Sequence, residues 1–280
     1  MKIGVADAGG GFRGVYGCAV LDSCLDNGIH FDYAIGVSAG SANLISYLAG
    51  QRGRNYRFYT DYGFRREYAS FGNFIRKRSY VDMDYVYGTL SNTGGEDPLD
   101  FDALMANPAE YFAVACNVET GEPVYLDKSC ITRDHYDVCK ASCALPVACH
   151  PYEAGGVRCL DGGMADPVPI QKAFDDGCDK VVLILTKPRD TIRQARDDAF
   201  FAKLLRLRYP KAAEQLALRY KKYNDGVALA KEYEKQGRLL IVAPDSIGNL
   251  TTLGRTKEDL DMLYEKGLKD GQQIKAFLGM

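Results

Sequence analysis

The sequence has almost no net charge, few histidines and no apolar run long enough to span a membrane. Its 280 residues carry a formal net charge of −2, whereas nucleic-acid-binding proteins normally carry a large basic excess. A membrane-spanning helix needs about 20 consecutive apolar residues, and no run approaches that length. Strand-like residues begin at 2–5, which leaves no room for a signal peptide. We therefore expect a cytoplasmic protein.

The nine cysteines do not follow a pattern typical of disulfides or metal sites. Their number is odd, and the sequence contains no Cys-x-x-Cys motif. Several lie in apolar runs, as expected for small buried side chains in a reducing compartment. We predict no disulfide framework, no metal and no cofactor.

Strands, glycine-rich turns and helices alternate in a way that predicts a three-layer α/β/α fold with a mostly parallel central sheet. Residues 3–7 and 33–37 read as strands, each followed by a glycine-rich turn and a helix. The apolar run 180–186 is typical of a central parallel strand. We expect residues 1–190 to form the core. Residues 191–280 are expected to pack on it as a helical C-terminal extension, with helix breaks near Pro210 and residues 224–226.

The strand at 33–37 leads directly into Gly36-Val37-Ser38-Ala39-Gly40, and a helix-forming run follows. This order is typical of a nucleophile elbow, in which a serine occupies a sharp turn between strand and helix. Gly36 and Gly40 lack a Cβ, so the strand and the helix can approach each other closely there. A serine hydroxyl is a weak nucleophile and needs a base from elsewhere in the chain.

Two kinds of residue could supply that base. The chain has only His30, His135 and His150, and none of them lies at the end of an obvious strand close to Ser38. Asp161 follows a strand-like segment at 157–160, which we predict to be parallel, and Gly162 and Gly163 would leave its carboxylate exposed. Open α/β sheets assemble their sites at such strand ends. The pattern favours Asp161.

The loop that follows the first strand also has two interpretations. Gly9-x-Gly11-x-x-Gly14 matches a dinucleotide-binding fingerprint, which requires an acidic residue at the end of the second strand. That strand ends at Ser38 instead, and Asp32 lies at its opposite end. The same loop can present several N–H groups at a helix N-terminus, which suits an oxyanion hole.

Basic and aromatic residues alternate between positions 52 and 80. Such a segment is most often a pair of amphipathic helices with aromatic cores and basic side chains that extend to solvent. An alternative is peripheral contact with an anionic membrane surface, which attracts the same combination of residues. The two interpretations are compatible if these helices form a lid over the site.

Four motifs together resemble the patatin-like phospholipase family over about residues 1–186. They are the loop 9–14, the elbow 36–40, Asp161-Gly162-Gly163, and the preceding segment Ala141-Ser142-Cys143-Ala144-Leu145-Pro146. Beyond residue 186, the sequence resembles the C-terminal helical extension of bacterial members of that family.

The resemblance implies a serine lipid acyl hydrolase, of the phospholipase A, lysophospholipase or esterase type. It implies a dyad of Ser38 as nucleophile and Asp161 as base, without a metal. It also implies an oxyanion hole from the backbone of Gly10, Gly11 and Gly14, with Arg13 beside it. The supporting residues are Gly9, Gly36, Ala39, Gly40, Gly162 and Gly163.

Three other functions remain open at this point. A nucleotide-binding module would use the glycine loop, an acyltransferase would use the same acyl-enzyme, and a regulatory protein could retain the fold without the chemistry. The sequence predicts a lipid or acyl-ester substrate and no nucleic-acid partner. It leaves the acyl length, the headgroup and the oligomeric state open.

Overall fold

The computed structural model describes all residues from Met1 to Met280. An eight-stranded sheet lies at the centre, with helices on both faces. The strands are β1 (Ile3–Asp7), β2 (Tyr33–Val37), β3 (Glu110–Asn117), β4 (Pro123–Asp127), β5 (Tyr152–Ala154), β6 (Val157–Asp161), β7 (Lys180–Ile184) and β8 (Leu239–Val242). The helices are α1 (Val15–Asp26), α2 (Ala39–Leu48), α3 (Arg54–Thr60), α4 (Phe71–Lys77), α5 (Phe101–Ala106), α6 (Asp137–Cys143), α7 (Ile170–Asp175), α8 (Ala199–Leu205), α9 (Pro210–Lys235), α10 (Lys257–Gly271) and α11 (Gln273–Leu278).

Five of the strands form the parallel part of the sheet, in the order β3-β2-β1-β7-β8. The central strands β1, β2 and β7 are almost entirely buried, which explains their continuous apolar sequences. One apolar core lies between the sheet and α1, α2, α6 and α10, and a second lies under α7 and α9. The predicted three-layer architecture is confirmed. No helix is both long and apolar enough to cross a bilayer.

The prediction that β6 runs parallel to its neighbours is wrong. β6 pairs antiparallel with both β3 and β5, because residues 155–156 form a tight turn that makes β5 and β6 a hairpin. β3 is paired along one edge by β4. Its other edge is shared by β2, up to Val114, and by β6, from Ala115 onward. The ends of β2 and β6 therefore meet.

The C-terminal part of the chain differs from the prediction in one respect. α9 runs unbroken through residues 224–226. A Cβ at Gly226 would lie 2.8 Å from the Val168 Cβ, so glycine is the residue that allows close contact there. The Asn224 side chain accepts a hydrogen bond from the Arg193 N–H (3.0 Å) and donates one to the Arg193 carbonyl (2.9 Å). Both residues have roles within a continuous helix.

Residues 191–280 are tightly joined to the rest of the chain. β8 extends the sheet beside β7, and α10 packs along α1. The helices approach closely at Gly267, where a Cβ would lie 2.6 Å from both the Ala19 Cβ and the Tyr16 carbonyl oxygen. We infer that the core and the C-terminal extension form one structural unit.

This inference predicts that Gly267→Ala destabilises the whole chain. The added methyl group would separate α10 from α1, and overpacking of this kind costs about 1–3 kcal/mol. Chemical denaturation should show one cooperative transition at a lower midpoint. Gly88→Ala is the matched control, since a Cβ there meets no atom within 4 Å. Two separate transitions, or equal midpoints for both variants, would contradict the inference.

Candidate active site

Ser38 lies in the turn between β2 and α2 in a strained conformation. Its φ of 55° and ψ of −130° are rarely adopted by residues other than glycine. A Cβ at Gly36 would lie 2.5 Å from the Ser41 backbone, and one at Gly40 would lie 2.3 Å from the Asp7 carbonyl oxygen. The two glycines therefore permit the close crossing that positions the serine, as the sequence predicts. Ser38 is largely buried but lines a cavity.

Asp161 is the last residue of β6 and reaches the same cavity. Its Oδ1 accepts a hydrogen bond from the Gly163 N–H (2.8 Å), and its Oδ2 has no hydrogen-bond partner in the protein. Burial raises the pKa of the Asp161 carboxyl, while the Ser38 hydroxyl, the Gly163 N–H and the charge of Arg219 oppose that rise. The structure thus brings the two predicted residues together, with one carboxyl oxygen available. Contacts between reactive groups are often loose in unliganded proteins.

A third side chain, Ser142, holds the two strand ends in register. Its hydroxyl accepts a hydrogen bond from the Ser38 N–H (2.9 Å) and donates one to the Val114 carbonyl (2.7 Å). Two residues further on, the Ala144 carbonyl accepts the Asp161 N–H (2.8 Å). The C-terminal end of α6 and the residue that follows it therefore fix both Ser38 and Asp161.

The glycine loop lines the cavity beside Ser38. Gly9, Gly10 and Gly11 all have positive φ angles, and the N–H groups of Gly10 and Gly11 donate to no protein acceptor. The Ala39 N–H, at the start of α2, is also free. These three amides can bind a negatively charged oxygen. Gly14 does not line the cavity. It packs against Tyr59 instead, since a Cβ at Gly14 would lie 2.5 Å from the Tyr59 hydroxyl.

A buried carboxyl supports the loop from below. Asp7 Oδ1 accepts the Gly9 N–H (2.9 Å), and its Oδ2 accepts the Asn43 amide (3.0 Å). The Asn43 amide also donates to the Gly14 carbonyl (2.9 Å), which links α2 to the loop. Burial raises the pKa of Asp7 to about 6. Sequence reasoning missed this role, although a polar residue at the end of an otherwise apolar strand is a detectable signal.

Two cavities adjoin Ser38, and their linings share Gly11, Ser38, Leu145, Thr252 and Leu253. The larger, of about 440 Å³, is lined by the glycine loop, Asp161 and basic residues that follow β7. The smaller, of about 60 Å³, is mainly apolar. Its lining includes Phe58, Tyr59, Met83, Val86 and Tyr87.

The histidines and cysteines lie elsewhere. None of the three histidines lines either cavity, and His150 Nδ1 is hydrogen-bonded to the Ser79 hydroxyl (2.8 Å). All nine cysteines are unpaired and all except the half-buried Cys130 are buried, which confirms the prediction that they behave as small core residues. No three metal-binding side chains of the His, Cys, Asp and Glu types are grouped together.

The segment 52–80 forms α3 and α4, which differ in their packing. Arg54 of α3 is buried rather than extended to solvent, and its guanidinium donates to the Ser91 hydroxyl (2.9 Å) and the Asp97 carbonyl (2.9 Å). α4 buries none of its residues, and Phe71 and Ile75 are each 78% exposed. The predicted aromatic core is therefore found only beneath α3.

Two family models match different parts of the chain. Residues 8–174 match the patatin-like phospholipase family, and residues 209–278 match a domain of unknown function (DUF6363). The uncharacterized protein YjjU of Escherichia coli (strain K12) is 29% identical over 195 residues, which are 67% of this chain and 52% of YjjU. The chain thus spans about half the length of that curated relative.

Among solved structures, VipD from Legionella pneumophila aligns with a TM-score of 0.48 and 12% identity over 98% of this chain and 66% of VipD. The fold and the strand–serine–helix turn define the class as an α/β protein with an elbow serine. Because the family match covers more than half of the sequence, this chain belongs to the patatin-like phospholipases. That family consists of lipid acyl hydrolases.

The hydrogen bonds of Ser142 predict that Ser142→Ala weakens the site as well as the fold. The substitution leaves the buried Ser38 N–H without an acceptor, and such a loss costs about 1–3 kcal/mol. Thermal unfolding measures the loss, and Ser142→Thr, which keeps the hydroxyl, should recover most of it. Ser246→Ala, at an exposed loop, is the control. The interpretation fails if Ser142→Ala and Ser246→Ala unfold at the same temperature.

Proposed function

We propose that this chain is a serine acyl hydrolase in which Ser38 is the nucleophile and Asp161 the base. The observation that carries the proposal is the meeting of β2 and β6, which brings the strained Ser38 beside a buried carboxyl with a free Oδ2. A buried carboxyl with a raised pKa is a better base than an exposed one.

The reaction then proceeds in two steps. In the first, the Ser38 Oγ attacks the ester carbonyl carbon as Asp161 takes the hydroxyl proton. The Gly10, Gly11 and Ala39 N–H groups stabilise the negative oxygen. The C–O bond to the alcohol breaks, and Asp161 gives its proton to the departing oxygen. In the second, Asp161 takes a proton from water, the water oxygen attacks the acyl carbon, and Ser38 is released with its proton restored.

The two cavities support a division between the parts of the substrate. The smaller cavity, of about 60 Å³, has an apolar lining that suits the first carbons of an acyl chain, and the larger has the polar lining that suits an alcohol carrying a headgroup. An alcohol could replace water in the second step, so an acyltransferase would use the same residues.

The nucleotide-binding alternative has less support. The side of the glycine loop that faces away from the cavity packs against neighbouring backbone: Cβ positions at Gly9 and Gly11 lie 2.0 Å from the Val37 carbonyl oxygen and 2.1 Å from the Thr252 carbonyl oxygen. The Phe12 N–H, which a phosphate would need, donates to Thr252 O (3.1 Å).

We also propose that α4 and α8 contact an anionic membrane. Both helices expose large apolar side chains, and Phe74 of α4 and Leu204 of α8 line one shared groove. Phe201 of α8 also lines the larger cavity, so the exposed surface adjoins the site. Cations lie among these apolar residues, as an anionic lipid surface favours. They are Arg76, Lys77, Arg78, Lys203, Arg206 and Arg208.

The dyad predicts a specific pattern of labelling and turnover. Wild-type protein should react covalently with a fluorophosphonate, and Ser38→Ala should not react at all. Asp161→Asn should lower the rate of ester hydrolysis by about 10²–10⁴, since it removes the base. The control is Asp166→Asn, which changes a nearby carboxyl hydrogen-bonded to Tyr125. Full activity in Asp161→Asn would eliminate the dyad.

The raised pKa of Asp161 gives that prediction a pH dependence. The kcat/KM of the wild type should fall as pH decreases through the raised pKa, because the protonated carboxyl cannot accept a proton. A raised carboxyl pKa also means that the folded state loses relative stability as pH rises through it. Asp161→Asn should therefore unfold at the same or a higher temperature than the wild type at pH 7.5. A large destabilisation at that pH would contradict the assignment.

The membrane proposal predicts that Phe71→Ser combined with Ile75→Ser weakens binding to vesicles at least tenfold. The two changes remove large apolar side chains, each worth about 1.5–3 kcal/mol when fully buried. Co-sedimentation with vesicles of phosphatidylglycerol and phosphatidylcholine measures the effect. Leu218→Ser, at an exposed position of α9, is the control. Equal binding of both variants would rule out contact through α4.

A further inference from the structure

Basic side chains converge on one part of the larger cavity. Arg13 comes from the glycine loop, Lys187 from the segment after β7, Arg193 from the loop before α8, and Arg219 from α9. Arg13 and Arg219 lie far in sequence from Lys187 and Arg193, and only the fold brings the four together. They line the cavity that also contains Ser38 and Asp161.

The acidic partners of this cluster are too few to balance it. Asp198 is buried and serves two cations, since it accepts hydrogen bonds from Arg193 (2.9 Å) and from Arg219 Nε (2.9 Å). Asp197, a further acid in the lining, accepts the Gln194 N–H (3.0 Å). With Asp161, three carboxylates face four cations, and neither Arg13 nor Lys187 forms an ion pair with any of them.

The remaining positive charge lies on groups that have unused hydrogen-bond donors. The Lys187 ammonium has no ion-pair or hydrogen-bond partner in the protein. Arg13 is more than nine-tenths buried, its Nε is unpaired, and its one side-chain hydrogen bond goes to the neutral Thr252 hydroxyl (3.2 Å). The Arg193 Nε is unpaired as well. Buried donors without partners are rare unless a ligand or ion satisfies them.

The electrostatics of the cluster agree with this reading. Burial, together with the charges of Arg13, Arg193 and Arg219, lowers the pKa of Lys187 to about 8. Burial and the charge of Arg193 likewise lower the pKa of Arg13 to about 10. A bound anion would offset this repulsion and favour the charged form of both groups.

We propose that Arg13, Lys187 and Arg193 form a subsite for a phosphate monoester on the alcohol part of the substrate. The proposal rests on the proposed function, and it adds a choice among lipids. A terminal phosphate carries about −1.5 to −2 charges at pH 7 and three acceptor oxygens, so it could pair with Arg13 and Lys187, neither of which has a carboxylate partner. A choline headgroup would bring a cation into the same space and be repelled. The preferred substrate is therefore an acyl glycerol phosphate rather than a zwitterionic lipid.

The first experiment compares two lipids that have the same acyl chain. The rates of hydrolysis of palmitoyl glycerol 3-phosphate and of palmitoyl glycerophosphocholine are to be measured for the wild type, Lys187→Gln and Lys187→Arg. We expect the wild type to prefer the phosphate monoester at least tenfold in kcat/KM. In Lys187→Gln this ratio should fall at least tenfold through an increase in KM for the monoester. Lys187→Arg should recover most of it.

Lys269→Gln provides the matched control, because it removes one exposed lysine far along α10 without an ion pair. It should keep the wild-type ratio. An equal preference for the two lipids in the wild type, or the same ratio in Lys187→Gln and the wild type, would overturn the subsite.

A binding measurement separates failure of the subsite from failure of the proposed function. Calorimetric titration with glycerol 3-phosphate does not need turnover. Binding by the wild type that weakens at least tenfold in Lys187→Gln, and that decreases above pH 8, supports the subsite even if no ester is hydrolysed. Ester hydrolysis without any binding of glycerol 3-phosphate would overturn the subsite and leave the hydrolase intact.

Discussion

The arrangement of the site depends on one edge of β3. β2 pairs with that edge up to Val114, and β6 occupies it from Ala115 onward in the opposite direction. Two strands that run toward each other end at adjacent rungs, so the residue after one and the last residue of the other are forced together. The Ser142 hydroxyl and the Ala144 carbonyl then fix both ends from the same segment. Neither Ser38 nor Asp161 needs a long or flexible side chain to reach the other.

Burial is the second constraint, and it acts on acids and bases alike. Removal from water raises the pKa of Asp161 and of Asp7, and lowers that of Lys187 and Arg13. Each shift reflects a cost to the folded state, because the charged form is held where water cannot solvate it. The strained φ of Ser38 adds to that cost. The sheet and the α1–α10 contact supply the stability that makes these features tolerable.

The features that the sequence predicts well are those set by neighbours along the chain. Gly36 and Gly40 predict the turn at Ser38, because a Cβ at either position would clash with neighbouring backbone. The direction of β6 was mispredicted, because the sequence of a five-residue strand does not indicate whether it pairs parallel or antiparallel with its neighbours. The predicted helix break at 224–226 was wrong for a similar reason. Gly226 allows close packing against Val168, which lies far away in sequence. Lys187, Arg193 and Arg219 belong to no recognisable sequence motif, so their convergence is visible only in the fold.

The two ends of the cavity come from different stretches of polypeptide. Ser38, Asp161 and the glycine loop lie within residues 8–174, where the family match is found, whereas Lys187, Arg193 and Arg219 lie beyond it. Under the assignments proposed above, Arg13 is the one subsite residue within the stretch that carries the reaction, and Lys187 and Arg193 lie outside it. Substitutions at Lys187 and Arg193 would then redirect the enzyme to another headgroup while Ser38, Asp161 and the glycine loop stayed unchanged. Lineages could diversify in this way without passing through an inactive intermediate.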